Sequence, residues 1–359
     1  MQRSCGIVFF VVFVCFGLNA HAGAGFEISP GAGYLMGDST YAIGDIPAEL
    51  DPWGREPYFP ISKLKFPLGV YLATVDAKMT VGILEISGGV KKNITDQAGH
   101  MRDYDWGIPY WDDAGDEGPG WYVNMWENST GEWYMLDVES TSKSEVDVTI
   151  WNAKIASRLF AYRYDQKYRD MMDRKTRHYK GELSASLGIG YEVRSFDYET
   201  ELIRQWSPSG IEGFDYTGDG SVGITYDVEY SIPYIELELA NRGEKIDFEM
   251  GLGYSAYVRA KDKDTHLLRV PGPIYAKGDC DGQAYKLKAG LQYNFTPRWF
   301  VKGVFDYLYI RTHGEQVNNI YAGTSDGHSW DSESWVTNEK INSKQSFLAV
   351  NIGCRFTLP

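Results

Sequence analysis

Apolar and polar residues alternate with period two along most of the chain beyond its first two dozen positions. The cleanest run sets Leu183, Ala185, Leu187, Ile189, Tyr191 and Val193 against Ser184, Ser186, Gly188, Gly190, Glu192 and Arg194. Alternation of this kind places successive side chains on opposite faces of a β-strand. Small and charged residues on the second face suit a crowded polar lumen, with the apolar face turned to lipid. The same period marks 26–42, 63–72 (Leu64, Phe66, Leu68, Val70 and Leu72 on one face), 79–90, 146–162, 226–232, 248–258, 284–295, 299–311 and 343–356. Ten strands are therefore expected.

Tight turns are expected at Thr74–Lys78, 241–245 and 296–298, and long loops near 97–143, 201–220, 265–282 and 314–342. The densely charged run 163–180 breaks the alternation. It reads as a solvated insertion, able to form a short helix, at the end opposite the long loops. Short turns at one end and long loops at the other are the pattern of a transmembrane antiparallel β-barrel. A soluble β-sandwich accounts for the alternation but not for this asymmetry. Several strands exceed the 9–11 residues needed to cross a bilayer. The barrel is thus expected to project beyond the membrane and to carry its function at the long-loop end.

Composition sharpens this picture. Arg3 and the apolar run Gly6–Leu18, followed by Ala20-His-Ala22, have the form of an export signal. That run is short of the roughly 20 residues of a spanning helix. Residues 1–22 are read as a signal peptide and 23–359 as the barrel. The chain holds 26 Tyr, 16 Phe, 11 Trp and 39 Gly, with a net charge of −14. Mean hydropathy is −0.36. An acidic chain of this kind argues against nucleic acid as partner and suits a basic substrate. Cys5 and Cys15 leave with the signal. The remaining Cys280 and Cys354 form no metal motif, and no metal or cofactor is expected.

Two stretches carry candidate chemistry. Val258-Arg-Ala-Lys-Asp-Lys-Asp-Thr-His266 sets Asp262, Asp264 and His266 two residues apart at the end of a strand. His100-Met-Arg-Asp-Tyr-Asp-Trp106 does the same for Asp103 and Asp105. A carboxylate beside an imidazole orients it and stabilises its protonated form. With no Ser or Cys in a nucleophile setting, water is the expected nucleophile and His266 its general base. Alone, each spacing is common in acidic loops, where solvation or a loop cation site is the ordinary meaning. Strict alternation also aims Asp262, Asp264 and His266 to the face of Phe248–Val258, which faces lipid. The site therefore requires a break in strand geometry between Val258 and Asp262. Bulges of this kind are frequent at barrel rims and beside active sites.

Met101-Arg-Asp-Tyr-Asp-Trp106, Phe248-Glu-Met-Gly-Leu-Gly-Tyr-Ser255 running on to Asp262-Lys-Asp-Thr-His266, and Tyr293-Asn-Phe-Thr-Pro297 resemble stretches of the omptin family of outer-membrane proteases. The resemblance implies a ten-stranded barrel in the outer membrane of a Gram-negative bacterium. It would act as an endopeptidase of aspartic type, without cofactor, as a monomer, on protein or peptide substrates. It assigns Asp103, Asp105, Asp264 and His266 to catalysis, and Asp262 to binding a basic side chain before the scissile bond. Two positions depart from the family. Tyr41 stands where a second acidic specificity residue is expected on the first strand. Glu229 stands where an Arg serves lipopolysaccharide, which puts that dependence in question. The alternatives are a non-catalytic barrel of the same fold, acting as adhesin or structural protein, and a narrow channel.

Overall fold

The computed structural model describes residues 24–44, 60–106, 136–169, 176–210, 215–268, 272–321, 323–325, 328–330 and 332–358. The expected signal peptide and residues 107–135 of the expected first long loop lie outside these residues. Among them the chain forms β1 (Ala24–Ile43), β2 (Ser62–Pro67), β3 (Val70–Val81), β4 (Leu84–Asn93), β5 (Gln97–Trp106), β6 (Leu136–Arg169), β7 (Thr176–Trp206), β8 (Tyr216–Thr217), β9 (Val222–Gly243), β10 (Ile246–His266), β11 (Ile274–Asn294), β12 (Trp299–Ile320), β13 (Gly323–Ser325), β14 (His328–Trp330) and β15 (Glu333–Leu358).

These runs close into an antiparallel ring of ten wall positions. β1 pairs with both β2 and β3, and β6 with both β4 and β5, so each of those couples fills one position. β7, β9, β10, β11, β12 and β15 follow in turn, and β15 returns to β1. Closure leaves no open edge, which is the condition for a sheet to stand in lipid. Among the described residues no helix is long and apolar enough to cross a membrane, which bears only on helices.

Several expected boundaries move. Thr74–Lys78 is strand, and the turn lies at Gly82–Ile83, where Gly82 has φ 59°. Asp76 and Lys78 look like turn residues in the sequence. They are instead polar lumen positions that pair with Asn351 and Glu27. The charged run 163–180 holds no helix among its described residues. β6 continues to Arg169 and β7 begins at Thr176, paired with it as a hairpin. The expected loops at 265–282 and 314–342 are also largely wall, because β11, β12 and β15 extend into them, whereas β7 takes only the first residues of 201–220 and ends at Trp206.

The interior has two zones. Toward the short turns it is a lattice of buried ion pairs. Lys154 meets Glu236 at 2.6 Å and Glu238 at 2.7 Å, Lys302 meets Glu249 at 2.5 Å, and Lys91 meets Asp306 at 2.9 Å. Glu192 is held between Arg194 and Lys286. A cavity of about 120 Å³ lies among these groups. We predict that Lys154→Met costs about 3–5 kcal/mol, because two carboxylates then remain buried without their cation. A urea midpoint equal to that of the parent barrel would refute this.

Toward the long loops the interior turns apolar. Phe66 stacks on Tyr226 with centroids 4.6 Å apart and lies 4.8 Å from Tyr198, while Tyr41 is 5.5 Å from Tyr226. Leu64, Leu68, Met101, Val148 and Ile232 pack around them. The outer wall inverts the pattern. Leu187, Ile189, Leu237, Phe248, Leu252, Leu348 and Ile352 are exposed beside the ion-pair zone, forming an apolar band for lipid. Above it Arg259, Lys261 and Lys263 are exposed instead, so the outer face of β10 changes from apolar to charged along its length.

Candidate active site

β10 carries the central stretch and contains the required break. Its pairing with β11 shifts register between Ser255 and Val258, and its pairing with β9 between Tyr254 and Arg259. One extra residue reverses which face each later side chain takes. Before the bulge Gly251 and Ser255 are inside while Phe248 and Leu252 are outside. After it Val258, Ala260, Asp262 and Asp264 are inside. The break thus lies just before Val258, not between Val258 and Asp262. Val258 is buried in the barrel rather than lipid-facing, and Arg259 is on the outer wall rather than in the lumen, where it pairs with Asp279.

Asp264 is almost fully buried, and its Oδ2 accepts a hydrogen bond from His266 Nε2 at 2.8 Å. The imidazole is the more open partner, with 15% of its side chain accessible against 1% for Asp264. That suits a base which must meet water while its orienting carboxylate is fixed. Asp103 and Asp105 are inward and buried on β5, which is held between β2 and β6 by Leu64↔Asp103, Ser62↔Asp105 and Asp103↔Ser140. Going round the ring from β5 to β10, one path crosses β6, β7 and β9. The other crosses β2, β1, β15, β12 and β11. The two acidic stretches therefore stand on opposing walls of the same mouth.

Asp262 is also inward and buried. Its carboxyl lies beside Glu339, Tyr226 and the Gly278 amide without a well-formed hydrogen bond from any of them. Burial, with the charge of Asp264 adding to it, pushes Asp262 up to about 7. Burial and the facing Asp262 likewise hold Glu339 well above the usual carboxylate range. Glu339 accepts hydrogen bonds from Gln316 Nε2 at 3.2 Å and Cys280 Sγ at 3.3 Å. Tyr41, at the expected place of a first-strand acid, donates to Gln316 Oε1 at 2.9 Å. Its hydroxyl is raised by burial and by Asp264. Glu229 is exposed on the outer wall, in register with Lys261. Among the described residues no group of three or more His, Cys, Asp or Glu is arranged to hold a metal ion.

Glu339 was hidden within a segment that reads as a polar loop. The signal that reveals it is parity. Thr337, Glu339, Ile341, Ser343 and Gln345 continue the inward positions of β15 downward to Phe347 and Ala349. Gln316 and Cys280 follow the same rule on β12 and β11.

A family model, Omptin family, matches residues 158–358. That span includes Asp262, Asp264 and His266 but not Asp103 and Asp105. Among solved structures, the outer membrane protease OmpT from Escherichia coli is similar, with 17% sequence identity and a TM-score of 0.63 over 93% of this chain and 97% of that one. At that identity the likeness shows the fold. The translocator domain of autotransporter NalP from Neisseria meningitidis (11% identity, 98% and 94% covered, TM-score 0.26) and the toluene transporter TodX of P. putida (8%, 96% and 92%, TM-score 0.21) are too remote to carry an argument. No curated protein matches the sequence.

Proposed function

The chain belongs to the omptin family of outer-membrane proteases, and from that premise we propose that it is an endopeptidase. In this reading it hydrolyses peptide bonds with a water activated by the Asp264–His266 dyad, opposite Asp103 and Asp105. The observation that carries the reading is the buried Asp264 holding His266 at 2.8 Å at the barrel mouth. With Nε2 donating to Asp264, Nδ1 is the nitrogen that takes the proton of water as its oxygen attacks the scissile carbonyl. Asp264 stabilises the imidazolium so formed. Asp103 and Asp105 hold the water from the other wall and orient it toward the scissile carbonyl. His266 returns its proton to the leaving amine. Asp262 binds a basic side chain before the scissile bond.

The non-catalytic reading has no observation of its own in its favour, and the ion-pair lattice argues against a channel. The test is refolded protein in detergent with a peptide library, beside Asp103→Asn and Asp105→Asn. Cleavage by the parent, with losses of about 10²-fold or more in each variant, is expected. A parent that cleaves nothing would leave the adhesin reading. The same assay with and without lipopolysaccharide is expected to show cleavage in both arms, since Glu229 stands at the family's lipid-binding Arg position.

A further inference from the structure

We propose that Glu339 is a specificity-determining residue: with Asp262 it forms a two-carboxyl pocket that takes the cationic side chain of the substrate, and a proton shared by the two carboxyls opens and closes that pocket to cations. This rests on the proposed peptidase activity and goes beyond it in the residue and in the pH control.

Three features of the structure support it. Both carboxyls are buried, at 7% and 1% exposure, and they crowd one point of the wall. They meet over Gly278, where an added Cβ would run into both Glu339 Oε2 and Asp262 Oδ1 and would push the two carboxyl ends aside. Among the described residues no cation pairs with either group. Other buried carboxylates of the lumen, such as Glu236 and Glu192, do have lysine partners. Desolvated carboxylates are held in folded proteins by a cation or by a proton. This pair has no cation in the free protein, so it keeps a proton until a substrate supplies one. The pocket sits two residues from the Asp264–His266 dyad along β10, within reach of the side chain beside the scissile bond.

The groups that face Glu339 favour the proton. They are Asp262 and Asp264 from β10, the Cys280 thiol from β11, Tyr41 from β1 and Tyr226 from β9, with neutral Gln316 from β12. None of them is positive, so repulsion and burial act in the same direction. Below the titration of the pair the pocket is neutral and has no preference for a cation. Above it a negative charge is exposed to the substrate and a lysine side chain is bound in place of the proton.

The experiment uses two peptides that differ only in lysine or norleucine before the scissile bond, which separates charge from length. For the parent protein, kcat/KM is expected to favour lysine by about tenfold or more at pH 8, as for one charge-assisted hydrogen bond. The preference is expected to fall several-fold at pH 5.5. In Glu339→Gln the lysine preference at pH 8 falls toward unity while norleucine cleavage persists, and Glu339→Asp restores part of it. Gly278→Ala, which blocks the pocket without removing a charge, is expected to reduce lysine cleavage selectively.

An unchanged lysine preference in Glu339→Gln, or a preference independent of pH in the parent, overturns the proposal. Binding of the two peptides to His266→Ala, followed by tryptophan fluorescence, reads the pocket without catalysis. Equal binding there and in His266→Ala/Glu339→Gln overturns it too. If the parent cleaves neither peptide while His266→Ala still binds the lysine peptide selectively, the peptidase reading fails and the pocket stands.

Discussion

His266→Ala lowers peptide cleavage by about three to four orders of magnitude, and Asp264→Asn by a similar factor. The reasoning is geometric. Asp264 Oδ2 is the acceptor for His266 Nε2 at 2.8 Å, and the carboxylate is buried where no solvent competes for it. Removing the imidazole removes the proton acceptor for water. Converting the carboxylate to an amide removes the charge that favours imidazolium and offers the ring a donor as readily as an acceptor. Each loss falls in the range of a positioned general base and its orienting group. Residues acting as one unit are not additive, so the double variant should be no slower than the worse single one. The measurement is kcat/KM on a peptide cleaved by the parent, with folding checked by heat-modifiable gel mobility. Cleavage by a folded His266→Ala barrel at the parental rate would remove the dyad from the mechanism.

How far the sequence discloses this site depends on the two-zone interior. In a simple barrel the apolar face is always outside. Here it is outside only along the lipid band, and inside above it. β7 and β9 make the change by switching the hydrophobic phase. In β7, Leu187 and Ile189 lie outside and then Phe196 and Tyr198 inside. In β9, Ile232 and Tyr230 lie inside and then Ile235 and Leu237 outside. Those switches are visible in the sequence. β10 makes the same change by a bulge and keeps its hydrophobic phase from Phe248 to Ala260. Its alternation therefore looks uninterrupted, and only the chemistry of Asp262, Asp264 and His266 betrays the reversal. At the upper ends of β12 and β15 the inward face is itself polar, at Gln316, Asn318, Thr337 and Glu339, and the outward face mixes Val317 and Val336 with Glu315, Asn338 and Lys340. No hydrophobic alternation remains there to mark a strand, which is why Glu339 is legible only after the wall is traced.

Inserting one alanine between Val258 and Arg259 abolishes cleavage in a barrel that still forms. The register shift between Ser255 and Val258 leaves Ala256 and Tyr257 both exposed on the outer wall, so one residue of the two is surplus to the ladder. Beyond it Val258, Ala260, Asp262 and Asp264 take the inward positions. An extra residue after Val258 moves every later side chain to the other face. Asp262, Asp264 and His266 then point outward while Arg259, Lys261 and Lys263 turn toward the apolar interior. That interior rejects them, so the top of β10 is expected to fray from β9 and β11 while the lipid-band segment, Phe248 to Tyr254, keeps its pairing. Activity should fall at least as far as in His266→Ala, about 10³-fold or more, with the heat-modifiable mobility of a closed barrel retained. The control is deletion of Tyr257, which removes the surplus residue. Val258 can still pair with Gly282 and every later residue keeps its face, so cleavage is expected within a few-fold of the parent. Both variants change the length of β10 by one residue, and only the facing of the dyad separates them. A folded insertion variant with parental activity would show that strand parity does not aim the site.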